Sequence, residues 1–225
     1  MSSPSLAPTL AILGLVLAVF VGCGRPEDPA QRVPAERIVL ITIDTLRADF
    51  VSAYGEANAD TPSLDSLSET GVRFSTAISP TPLTLPTHAT ILTGLDPPHH
   101  GVRDNTTFAL PEDLVTLPEI LARSGWATGA FVGSFILDRQ HGLDRGFDRY
   151  DDAMGVQGER RVYGIPERSA EQVVDTALDW LQDAPDRFFL WVHFFDPHTP
   201  WEGPESAAPR ARYAAEIERT DRQVG

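Results

Sequence analysis

Positions 38–43 read Ile-Val-Leu-Ile-Thr-Ile and run straight into Asp44, and this segment constrains the chain more than any other. A run without polar alternation suits a strand covered on both faces, as in a parallel sheet, and it leaves the Asp44 carboxylate at the strand's carboxyl end. Strand and helix signals then alternate. Thr61-Pro62, with Leu64, Leu67 and a terminating Gly71, predicts a short helix capped by Thr61. Residues 72–78 read as a second strand and 87–92 as a helix fed by the loop that carries Thr84. Thr116-Leu117-Pro118-Glu119 opens another helix, stopped at Gly125, and 127–133 make a third strand. Residues 169–184 form the clearest helix, with Ser169 and Gln172 spaced as a capping box and Val173, Val174, Ala177, Leu178 and Leu181 on one stripe. A buried strand at 188–195 and a helix at 213–225 complete the series. The expected class is therefore α/β, a mostly parallel sheet sandwiched by helices.

The N-terminus reads differently. An apolar run over 10–21 is shorter than the roughly 20 residues a spanning helix needs, and it suits the core of a secretory signal. It ends at Phe20-Val21-Gly22-Cys23, and Cys23 is the single cysteine, which excludes an intrachain disulfide. The segment looks like a bacterial lipoprotein signal, with Cys23 the lipidated first residue of the mature chain. It has no Lys or Arg before the apolar run and carries Phe20 where such signals usually have Leu. The expected organisation is a signal over 1–23, a Pro- and acid-rich tether over 24–36, and a folded domain over 37–225, outside the cytoplasm and held to the cell envelope by its lipid. The expected location is the periplasmic face or the outer membrane. A net charge of −14 argues against nucleic-acid binding by bulk electrostatics, while leaving room for a local cationic site that attracts an anionic ester.

Open α/β sheets bind ligands at the carboxyl ends of their strands. Asp44 ends the first strand, His198 lies just past the strand at 188–195, and Thr84 precedes a helix whose free N–H groups suit an anion. A threonine hydroxyl attacks only when a base or metal lowers its pKa. A divalent ion held by Asp44 would do this and would neutralise charge on the ester oxygens, and His198 would donate to an oxygen or protonate the leaving group. Asp44 could instead cap a turn, and Thr81, Thr87 and Thr90 rival Thr84, each able to cap the helix. Asn105 could close a turn, and a hydrogen bond from His198 could fix the Asp-Pro turn. Histidines 88, 99 and 100 read as loop-bonding residues, and Arg47 with Asp49 as an ion pair.

Three segments together carry a resemblance: RIVLITIDTLRADF at 37–50, TPLTLPTHATILTGLDPPHHG at 81–101 and WVHFFDPHTPW at 191–201. The chain resembles the sulfatase branch of the alkaline phosphatase superfamily, over the N-terminal half or so of that family's domain. The resemblance implies that Asp44 is a metal ligand, Thr84 the nucleophile and a metal ligand, and Asn105 and His198 the groups that bind the ester. The metal would be Ca²⁺ or Zn²⁺. A second Asp found in many sulfatases is Thr45 here. The family's modified Cys or Ser, in Cys/Ser-x-Pro-x-Arg, is replaced in Thr84-Leu85-Pro86-Thr87-His88, which is closer to the Thr-Phe-Pro-Asn-His of nucleotide pyrophosphatase-type phosphodiesterases. A Lys and a His that contact sulfate would fall near residues 133–136 and are absent. Further metal ligands, an Asp-His pair, belong beyond Gly225, so the chain reads as an incomplete copy of the domain, inactive on its own and with a sheet edge laid open. The leading expectation is an extracytoplasmic metal-dependent hydrolase of sulfate or phosphate esters. The alternatives are a transferase of phosphoryl-linked headgroups in the envelope and a binding protein with a decayed site.

Overall fold

A computed structural model of the chain describes residues 35–55, 58–154, 161–162 and 165–225. Cys23 and the signal over 1–23, with most of the tether, lie outside the described residues. A compact unit runs from Glu36 to Gly225. Among the described residues no helix is long and apolar enough to cross a membrane.

Four parallel strands form the central sheet: β1 (Arg37–Ile43), β2 (Ala127–Val132), β3 (Arg149–Asp151) and β6 (Phe188–Phe194), in the order β1-β6-β2-β3. The last strand in sequence therefore inserts between the first two. A small antiparallel pair, β4 (Arg161–Val162) and β5 (Ile165–Pro166), stands apart from it. Alternation along β6 divides its side chains between two cores. Phe189 and Trp191 pack with Ala130 and Val132 against Leu85, Ala89 and Leu92. Leu190, Val192 and Phe194 pack with Phe131 against Ala170, Val173 and Ala177 on the other face. The first set comes from α2 (Thr84–Thr93), with α4 (Leu117–Arg123) beside it, and the second from α5 (Ala170–Asp183). Burying one such side chain contributes about 1.5–3 kcal/mol, so β6, buried at all seven positions, anchors the domain.

The capping boxes appear as the sequence implies, Thr116 with Glu119 opening α4 and Ser169 with Gln172 opening α5. Several expectations change. β1 is an edge strand with one open face, Val39 being 52% exposed and Ile41 37%, because no described element packs over it. Residues 72–78 form no strand: Val72, Phe74 and Ile78 are each at least 70% exposed, and no neighbouring edge offers them hydrogen bonds. α2 begins at Thr84 rather than Thr87, since Pro86 falls in the first turn, where its missing N–H costs nothing. The C-terminal helix α6 (Pro209–Val224) starts four residues before Tyr213.

The helix α1 (Pro62–Thr70) exists, but Thr61 does not cap it. The Thr61 hydroxyl accepts the Ser52 N–H at 2.9 Å and meets the Ser52 hydroxyl at 2.7 Å. The cap comes instead from α6, where buried Asp221 accepts the N–H groups of Ser63 at 3.0 Å and Leu64 at 2.9 Å. Four residues at 97–100 form one further turn, α3 (Pro97–His100).

Candidate active site

Register sets the site. β1 pairs with β6 so that Thr42 faces His193, and Asp44 N–H donates to Phe194 O at 2.9 Å, one step past the strand. Side chains two apart share a face, so Thr42, Asp44, Trp191 and His193 all point toward α2. Thr84, first residue of that helix, donates its hydroxyl to Asp44 Oδ2 at 3.0 Å. A cleft of about 370 Å³ opens over the pair, lined also by Ile43, Thr45, Leu83, Thr87 and His88. Burial raises the Asp44 carboxyl pKa, and this is opposed by the charge of His198 and the Thr84 hydroxyl.

Two of the rival threonines are occupied elsewhere. Thr87 donates to Thr81 O at 2.9 Å, and Thr90 donates to Pro86 O at 3.1 Å. Asn105 reaches the same helix end, its Oδ1 accepting the Leu85 N–H at 3.0 Å, which turns its NH₂ into the group available to a ligand oxygen. His198 sits farther out. Its Nδ1 donates to Thr199 O at 2.7 Å, its ring stacks on Phe195 at 4.4 Å, and it acts on Asp44 through charge without lining the cleft. The structure thus joins Asp44 to Thr84 directly, sets Asn105 one residue along, and keeps His198 on the rim.

The loop after Asp44 is held in an unusual shape. Thr45 has φ 52°, a left-handed conformation that is rare for a β-branched residue. Tyr213 of α6 clamps it, donating its hydroxyl to Thr45 O at 2.6 Å and accepting the Arg47 N–H at 3.0 Å. Arg47 pairs with Asp49 at 2.8 Å as the sequence implies, which lowers the Asp49 carboxyl pKa.

Beneath the cleft lies a buried polar cluster that sequence reasoning missed. Thr42 Oγ1 meets His193 Nδ1 at 2.9 Å, His88 Nε2 at 3.1 Å and Trp191 Nε1 at 3.1 Å, while His88 Nδ1 donates to Thr84 O at 2.7 Å. Burial lowers the pKa of His88 to about 4 and that of His193 well below the ordinary value. One available signal was a single polar residue, Thr42 or His193, inside an otherwise apolar strand. His88 and His100 bond the loop and helix as expected, His100 Nδ1 accepting the Val102 N–H at 3.1 Å.

Among the described residues no group of three or more His, Cys, Asp or Glu gathers as a metal site. The donors facing one another are the Asp44 carboxylate, the Thr84 hydroxyl and His193 Nε2, a buried nitrogen without a hydrogen-bond partner that lies 3.8 Å from Asp44 Oδ2. A buried carboxylate beside an orphaned nitrogen fits a divalent cation as part of a donor set.

The profile described as Sulfatase matches residues 36–225. The chain belongs to the sulfatase family. It is 26% identical over 208 residues to the N-acetylglucosamine-6-O-sulfatase of Bacteroides thetaiotaomicron, which covers 86% of this chain and 36% of the relative. To the N-acetylgalactosamine-6-sulfatase of Rattus norvegicus it is 31% identical over 160 residues, 64% of this chain and 28% of that one. This sulfatase-family chain thus spans about a third of the length of these curated relatives. Its fold matches a phosphonate monoester hydrolase of Agrobacterium radiobacter at a TM-score of 0.69 and 20% identity, over 85% of this chain and 58% of the other. It also matches a protein of the alkaline phosphatase superfamily from Vibrio parahaemolyticus at 0.62 and 21% identity, over 84% and 48%. The sulfatase-like α/β architecture is therefore shown, and enzymes of this superfamily in general use divalent metals.

Proposed function

We propose that the full-length protein is an extracytoplasmic, metal-dependent ester hydrolase whose nucleophile is Thr84. The observation that carries this reading is the 3.0 Å hydrogen bond from the Thr84 hydroxyl to the buried Asp44 carboxylate. Asp44 orients the hydroxyl and, with Thr84, would hold the ion. That ion, Ca²⁺ or Zn²⁺, would when bound supply positive charge to lower the hydroxyl pKa and offset charge on the ester.

With its hydroxyl proton released to solvent in the cleft, Thr84 Oγ attacks the phosphorus or sulfur and displaces the alcohol of the ester. The bond to the departing oxygen breaks as that to Thr84 forms, and protonated His198 delivers the proton that the alcohol needs. Asn105 NH₂ holds a nonbridging oxygen. Water then cleaves the ester on Thr84 and restores the hydroxyl. Threonine cannot become formylglycine, and a sulfated threonine lacks the hemiacetal route by which formylglycine releases sulfate. The reading therefore favours phosphate or phosphonate esters, with sulfate esters the substrates that the relatives' names suggest. Thr84→Ala in the full-length protein is expected to cut turnover by roughly a thousandfold or more, with a phosphorylated Thr84 trapped in quenched wild-type enzyme. Ligand binding indifferent to Thr84→Ala, with no turnover by the wild type, would return the decayed-site reading.

The same reading places the protein in the bacterial cell envelope, tethered through a lipid on Cys23. Cys23→Ser should release it from the membrane fraction; retention there would sink the lipid tether.

A further inference from the structure

The cluster under the cleft admits one proton arrangement. Carbonyl oxygens only accept, so the bond between His88 Nδ1 and Thr84 O puts a proton on Nδ1. The buried His88 ring has hydrogen bonds to Thr84 O and Thr42 Oγ1 and to no carboxylate that would hold a second proton, which leaves its Nε2 bare, and this nitrogen accepts the Thr42 hydroxyl proton. Trp191 Nε1 can only donate, and it fills one acceptor position on Thr42 Oγ1. Thr42 has no second proton to give, so the 2.9 Å bond to His193 Nδ1 is a donation from His193. His193 therefore carries its proton on Nδ1 and a bare lone pair on Nε2.

That lone pair is fully buried, has no partner, and faces Asp44 Oδ2 at 3.8 Å. The separation is too long for a hydrogen bond. It also sets two electron-rich atoms against each other in a buried site. A distance of 3.8 Å is shorter than about 4.2 Å, twice a typical Zn–N or Zn–O bond, so one ion can touch both atoms. Thr84 Oγ1 already lies 3.0 Å from the same carboxylate oxygen.

We infer that His193 is a ligand of the metal, its Nε2 completing a three-donor set with Asp44 and Thr84. This rests on the metal-dependent reading above and deepens it by narrowing the ion. Calcium takes oxygen donors, whereas imidazole suits Zn²⁺ and its first-row neighbours, so the site selects Zn²⁺ over Ca²⁺. The Thr42 cluster then has a function: it locks His193 in the tautomer that presents Nε2 to the ion.

The test is His193→Asn in the full-length protein, since the Asn amide can keep the donation to Thr42 while removing the Nε2 lone pair. Zn²⁺ affinity, read by competition with a chromogenic chelator, should fall by about tenfold to hundredfold or more, with Ca²⁺ affinity little changed. Equal losses for both ions would assign His193 a structural role only, and no loss would remove it from the site; either result overturns the inference. A second measurement needs no variant. In ¹⁵N-histidine-labelled wild-type protein, the His193 Nε2 resonance should report an unprotonated nitrogen that shifts on adding Zn²⁺. Zn²⁺ binding with that resonance unmoved overturns the inference alone, whereas a wild type that binds no divalent ion overturns the metal-dependent reading with it.

Discussion

His88 shows how a residue almost wholly buried in the wall of the cleft can govern behaviour there. Its ring holds Thr84 O from below, and burial lowers its pKa to about 4 against an ordinary value near 6.5. The folded state thus refuses a proton that the unfolded chain accepts as pH falls through 6.5. Stability is fully present above that pH and is lost on the way down toward 4, by about 3 kcal/mol from this group. His193 is shifted the same way by burial and adds to the slope. Urea unfolding of the metal-free protein between pH 7 and 4 should show the loss, and His88→Asn should flatten it; an unchanged slope in the variant would clear His88 of the effect. Asp44 acts in the opposite sense. Its carboxyl holds its proton more tightly when folded, so it opposes stability above the ordinary carboxylate range until a cation compensates.

Among the elements, α6 holds others in place as well as filling space. Tyr213 fixes the left-handed Thr45, and Asp221 caps α1, so one C-terminal helix secures two segments that follow β1. Asp221→Ala would leave two α1 N–H groups without their acceptor and should cost about 1–2 kcal/mol, read as a lower midpoint in denaturant. Unfolding unaltered by this change, with Thr61→Ala costing a similar amount, would restore Thr61 as the cap. A buried ion pair performs a comparable task between β3 and α5: Arg168 meets Asp151 at 2.7 Å and also donates to Gln172 O at 3.1 Å. Capping boxes were legible because both partners lie three residues apart in sequence. The Asp221 cap lies 158 positions from Ser63 and left no local trace.

At the scale of the molecule, the sheet ends at β1, whose outer edge no strand among the described residues pairs, and Val39 and Ile41 are open. Nearby in sequence, residues 72–78 keep the apolar residues of a strand without a strand to join. Unpaired edges and exposed apolar side chains template association. The 225-residue chain expressed alone should therefore self-associate with rising concentration in light scattering, and Val39→Lys with Phe74→Lys should suppress this while leaving the thermal midpoint nearly unchanged. Association untouched by both changes would place the sticky surface elsewhere.

The amino-acid order alone determined the α/β class, the capping boxes of α4 and α5, the placing of Asp44 at a strand end and Thr84 close to a helix start, and the family resemblance. These rest on periodicity and on residues close in sequence, where each neighbour's chemistry can be read directly. The tertiary structure decided which hydroxyl meets Asp44, which helix supplies the cap on α1, and that Thr42, His88, Trp191 and His193 share one buried cluster. It also decided that 72–78 forms no strand. In each case the deciding partner comes from a distant segment, brought near by sheet order and register, and the pairing energy of a strand or a buried polar group does not exist until that partner arrives.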